Sequence, residues 1–199
     1  MRYGALALLA ACVLLLVVQC GAVGGSSSTA PAAERGGPGF NATDVMFLQM
    51  MVPHQGQGVR LVRLVRRHPV RPEVATLAAA IESTQLTEVK DMAGRLRGWR
   101  RPPTAPPHSH ASHGGMPETT QTELDALDRT PPDRFERAFL NLLIAHQDDT
   151  VQMARMETGG GQDAWTRRLA ENVDRSRSAQ ITRMLAILGS RSPHNPSQK

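Results

Sequence analysis

His54 and His146 stand 92 residues apart, and each is followed by a glutamine. Phe47, Met50, His54, Gln57, Leu61 and Leu64 recur in steps of three and four, the spacing of one helix face. Phe139, Leu142, His146, Asp149, Met153 and Met156 repeat that stripe. Each histidine is thereby expected in an inward-facing seam. Met46, Met50 and His54 are successive i, i+4 neighbours, Met51 lies beside them, and Met92 and Met184 occupy matched positions further on. Thioether sulfur is a soft ligand and imidazole a borderline one. Together they suit copper, above all Cu(I), and do not suit Mg²⁺ or Ca²⁺. The plainer alternative is a packed core, with methionine filling gaps and each histidine neutral and hydrogen-bonded.

A second group of donors is His108, His110 and His113, with Met116 close behind. Three of the seven histidines fall within six residues, between Pro/Ser/Gly neighbours. An H-x-H-x-x-H run can wrap Cu(II), zinc or nickel, weakly because the segment must be ordered on binding. A solvated polar linker is the alternative.

The elements that position these residues follow from a repeat. Sliding the chain over itself by 92 residues aligns Phe47-Leu48 with Phe139-Leu140 and His54-Gln55 with His146-Gln147, without a gap. Val59, Arg63, Leu77, Ala78, Met92 and Leu96 likewise meet Val151, Arg155, Leu169, Ala170, Met184 and Leu188. Each copy reads as two helices. In the first, Asn41 or Thr43 caps the start, His68-Pro69 is the stop, and Pro72 opens a helix to about Gly98. In the second, Thr130-Pro131-Pro132-Asp133 is the start, Gly159-Gly160-Gly161 the break, and a last helix runs from about Asp163 to Leu188. Pro53 falls inside the first helix and predicts a kink beside His54. Two helical hairpins make an all-α, antiparallel four-helix bundle. It spans 40–190: repeat one 40–98, a His-rich linker 99–129, repeat two 130–190.

The N-terminus reads as an address. Arg2 precedes an apolar run from Ala5 to Val18, too short to span a bilayer comfortably. Residues 1–19 are expected to be a secretory signal. Val17-Val18-Gln19-Cys20 resembles a lipobox, which would leave Cys20 lipidated. Gln19 stands where a small residue is usual, so cleavage after Ala22 competes, and an uncleaved anchor is a third reading. Residues 20–39, rich in Gly, Ser, Ala and Pro, read as a flexible tether, and 191–199 as a disordered tail. With Cys12 removed in the signal, at most one cysteine remains, and no intramolecular disulfide can form. The net charge of +5 comes from an Arg-rich set. In an exported protein it favours an anionic membrane or envelope surface over nucleic acid.

The chain lacks an E-x-x-H pair, a haem C-x-x-C-H, a G-x-S-x-G elbow and an H-E-x-x-H motif. No catalytic constellation emerges, and no enzyme is expected. Asp148 is expected in solvent and Asp149 in a hydrogen bond to His146.

Residues 40–190 resemble the family known as domain of unknown function 305. Met51-Val52-Pro53-His54-Gln55 is similar to its M-[IV]-P-H-H hallmark, and Leu143-Ile144-Ala145-His146-Gln147 is a weaker copy. The second helix of copy one carries Ile81, Gln85, Glu88, Val89, Met92 and Leu96; copy two carries Val173, Gln180, Ile181, Met184 and Leu188. The resemblance implies exported bacterial proteins with paired helical hairpins in a ferritin-like bundle, some associated with copper. The second histidine of the hallmark is Gln55 in one copy and Gln147 in the other, which removes imidazoles from the core. The expectation is therefore an envelope-anchored copper buffer or carrier, or else a metal-free protein that binds an envelope partner.

Overall fold

The computed structural model describes residues 39–106, 109 and 117–190. The expected signal, Cys20, the tether up to residue 38, the tail, and His108, His110, His113 and Met116 lie outside the described residues. Among the described residues there are five α-helices and no strand.

Helix α1 is Ala42–Arg63. Its cap is Asn41: the Asn41 side chain accepts from the Asp44 backbone N–H, and the Asp44 carboxylate accepts from that of Asn41. The helix runs through Pro53 and ends in a 3-10 turn, Leu64–Arg67. Helix α2, Pro72–Gly98, has Pro72 at its first turn, where no N–H is needed. A short helix α3, Gln121–Asp128, lies inside what the sequence offered only as linker. Thr120 and Glu123 form its capping box, a short-range signal with few apolar residues behind it. Helix α4 is Pro132–Gly160, and α5 is Ala164–Gly189 with Asp163 as its cap.

Helix α1 packs on α2, α4 packs on α5, and the two hairpins meet through α1 and α4. This is the antiparallel four-helix bundle the repeat predicts. Two apolar clusters fill it. One holds Leu61, Ile81, Phe135, Phe139, Leu143 and Met184; the other holds Phe47, Met50, Met51, Met92, Met153 and Val173. All six residues of the first predicted stripe are buried. The second stripe is looser: Leu142 and Asp149 are half-buried, and Met156 is exposed. Helix α4 is rotated so that Leu143, Gln147, Thr150, Ala154 and Glu157 face inward beside Phe139, His146 and Met153.

The repeat extends to polar contacts. Gln55 Nε2 donates to Glu88 at 2.7 Å, and Gln147 Nε2 donates to Gln180 at 2.6 Å. Arg63 pairs with Glu82, and Arg155 with Asp174. Each is the other's counterpart 92 residues on.

Candidate metal centre

His54 is fully buried and His146 nearly so, and their rings stack face to face, with centroids 4.0 Å apart and planes within 4°. Ring nitrogens donate in the plane of the ring, so stacked imidazoles aim their lone pairs sideways and not at a shared point between them. The seam brings the two histidines together as predicted, in a geometry that differs from a two-imidazole clamp.

The two rings differ in what they touch. His54 Nδ1 lies 3.1 Å from the Pro117 carbonyl oxygen, and Nε2 lies 3.1 Å from that of His146. Both contacts are acceptors, so the neutral ring donates to one carbonyl and faces the other with its lone pair, and neither nitrogen is open to a metal. His146 Nδ1 lies 2.9 Å from the Thr119 hydroxyl, while its Nε2 is buried without a partner. If Nδ1 carries the proton and donates it to Thr119, the Nε2 lone pair is free to bind. Burial holds both histidines below the usual imidazole range; for His146 the charges of His54 and Arg177 add to that. The neutral form, the one that ligates a metal, is thereby favoured.

Gly58 makes room at that nitrogen. A Cβ built on Gly58 would stand 2.5 Å from His146 Nε2 and 2.7 Å from Gln85 Oε1. Gln85 is fully buried and neither of its amide atoms has a partner. An imidazole nitrogen and an amide oxygen thus converge on Gly58, one of two glycines in α1 and the one that faces the bundle interior. The matched position in copy two is Thr150, whose hydroxyl donates to the His146 carbonyl at 3.1 Å. The site is therefore one-sided.

Met50 and Met51, one turn before His54, and Met92 are buried in the second apolar cluster; Met184 is buried in the first. The structure therefore divides these four methionines between two cores. Asp149 does not bond to His146; its charge lies near enough to His54 to offset a small part of the lowering that burial causes there. Among the described residues, no three His, Cys, Asp or Glu side chains form a metal-sized group.

Sequence reasoning passed over Gly58, Thr119 and Arg177. Arg177, the counterpart of Gln85, is fully buried and reaches Glu88 at 2.5 Å, tying α5 to α2. The 92-residue offset pairs Gln85 with Arg177 and Gly58 with Thr150, a mismatch at each position that could have marked them.

These features define an all-α bundle of two repeated helical hairpins around a buried histidine pair. The family model for Domain of unknown function (DUF305) matches residues 44–188, and the chain belongs to that family. It is similar to the crystal structure of a DUF305 protein of Streptomyces coelicolor, described as secreted, with 28% identity, 74% of this chain and 92% of that chain covered, and a TM-score of 0.69. A DUF305 fragment from Deinococcus radiodurans is 26% identical over 74% of this chain and 95% of that one, with a TM-score of 0.65. CopM in its Cu(I)-bound form is 26% identical over 73% and 95%, with a TM-score of 0.61. CopM has also been solved in a Cu(II)-bound form, 27% identical over 72% and 93% with a TM-score of 0.59. Among curated proteins none matches the chain.

Proposed function

We propose that this protein binds copper in the bacterial envelope, held there through a lipidated Cys20, and serves as a buffer or carrier and not as an enzyme. The observation that carries the reading is the buried, unpartnered Nε2 of His146 with the Gln85 amide beside it, in a chain similar to a protein solved with Cu(I) and with Cu(II). Nitrogen and amide oxygen are two donors, too few for a tight closed site. Further donors come from the linker. Pro117 and Thr119 touch the two histidines, and in the sequence Met116 directly precedes Pro117, with His108, His110 and His113 in the same linker. The metal is cargo, and the seam supplies one fixed nitrogen.

The test is competition for Cu(I) and Cu(II) between a chelator and the mature protein, intact, lacking residues 108–116, or carrying His146→Ala. Uptake lowered by both changes supports the joint site. Uptake lost only with the linker places binding there alone, and no uptake by the intact protein rejects the reading. A metal-free interaction protein is the second reading. It is favoured by His54, whose two ring nitrogens both face carbonyls as in a packed core.

A further inference from the structure

One end of the bundle gathers the start of α1, the end of α2 and the loop between α4 and α5. The Asn41 side chain donates to the Gly160 carbonyl, and the Asp44 carboxylate accepts from the backbone of Gln162 and Asp163. Phe40, the residue through which the N-terminal segment enters, stacks on Trp99 at 4.2 Å. Trp99 and Trp165 are the only tryptophans of the chain, and both line a groove of about 730 Å³ at this end. Between them lies Arg95, its guanidinium carbon 5.1 Å from one ring centroid and 5.5 Å from the other. Asp163 neutralises Arg95, so that arginine holds the rings apart and offers no net charge outward.

The outward charge comes from other residues. Lys90 and Arg97 line the groove, Arg100 follows it, and Arg168 lies one turn beyond Trp165; all four are exposed. None of the four has an ion pair among the described residues, and Asp91 is the one acid lining the groove. One placement runs against local stability. Arg100 has φ +57°, the left-handed position after a helix that favours glycine; the Arg101 N–H closes the turn on the Leu96 carbonyl at 2.8 Å. The chain thus presents arginine at a site where the backbone prefers no side chain.

We propose that this end of the bundle is a membrane-docking surface, with Trp99 and Trp165 at the level of the headgroups and Lys90, Arg97, Arg100 and Arg168 on anionic phospholipid. Tryptophan rings with one apolar side suit the interface. Clustered Lys and Arg suit an anionic leaflet within a Debye length. The lipid is favoured over a protein partner because the surface surrounds Phe40, where the segment from Cys20 joins the bundle. The proposal rests on the envelope location proposed above but not on copper.

The probe is a pair of vesicle preparations, phosphatidylcholine alone and phosphatidylcholine mixed with phosphatidylglycerol. The protein is the mature chain from residue 20 with Cys20→Ser, so no lipid anchor contributes. Co-sedimentation gives affinity, and the emission of the only two tryptophans reports on the groove. Expected are binding and a blue shift with the anionic vesicles, weakened by salt, and at least a tenfold loss in Arg97→Glu/Arg100→Glu. Arg129→Glu/Arg134→Glu, an equal charge change at the opposite end, leaves affinity within twofold. Absence of binding, equal binding to both vesicles, or equal loss in the two double variants overturns the proposal. Copper competition by Arg97→Glu/Arg100→Glu stays unchanged, which separates this surface from the histidine site.

Discussion

His146 and Glu157 are buried, titratable and short of partners, and each makes a prediction. For His146 the open Nε2 is available because Gly58 has no side chain. Gly58→Ala sets a methyl group 2.5 Å from that nitrogen. The Gln85 amide is the end of a flexible chain and swings aside, while the stacked imidazole cannot. We expect copper affinity to fall at least tenfold in competition titrations, with a stability loss of about 1 kcal/mol, the scale of a strained small-to-large change. Glu157 is fully buried, and its carboxyl oxygens have no donor. Burial first, then the adjacent Asp44 and Asp163, push its pKa to about 9. Protonated, it can donate to Asp44; ionised, it would be a second buried anion beside one. The folded pKa stands above the unfolded 4.5, so its stabilisation is complete below pH 4.5 and is lost as pH rises through about 9. Glu157→Gln keeps a donor without the proton. Chemical unfolding at pH 8 should show it more stable by about 1–3 kcal/mol, with a flatter alkaline limb, and no gain at pH 4.

The helices were legible because their signals are local: Asn41, Pro72, Pro132 and Asp163 open four of them where the sequence places the starts. Helix α3 escaped because eight residues with two buried leucines carry too little periodicity. The second stripe misplaced Met156 since a repeat preserves the order of elements and not their rotation; Thr150 and Glu157 claim the interior instead. The histidine pair was legible from the 92-residue offset. Its stacking was not, because ring planes depend on Pro117, Thr119 and the His146 carbonyl, which are distant in sequence. At this scale the tie between α2 and α5 is testable. Glu88 accepts from Gln55 and from the fully buried Arg177. Glu88→Ala strands that guanidinium and should cost about 3–5 kcal/mol in denaturant unfolding, whereas Glu88→Ala/Arg177→Met recovers most of it.

At the scale of the whole molecule, the two ends of the bundle differ in chemistry. The end at Phe40 carries tryptophan and unpaired cations. The opposite end is closed by structural pairs: His68 stacks on Phe135 at 3.7 Å and meets Asp128, and Arg71 binds Glu136 and the Ile187 carbonyl. No helix among the described residues is long and apolar enough to cross a membrane.

Midway between the two ends, Pro117 and Thr119 touch a histidine from each hairpin, and the Thr119 N–H also donates to Gln57 at 3.0 Å. Two of these contacts reach α1 and one reaches α4, so the full set is complete only once those helices have met. It is expected to form late in assembly and to open early. Thr119→Val should accordingly leave the refolding rate nearly unchanged and speed unfolding about fivefold, the share of a lost buried hydrogen bond that falls on that limb. Stopped-flow measurement of both limbs decides it. In kinetic terms Pro117 and Thr119 would act as a clasp that sets how long the closed bundle lasts, and that lifetime bounds how quickly anything held beneath them can escape.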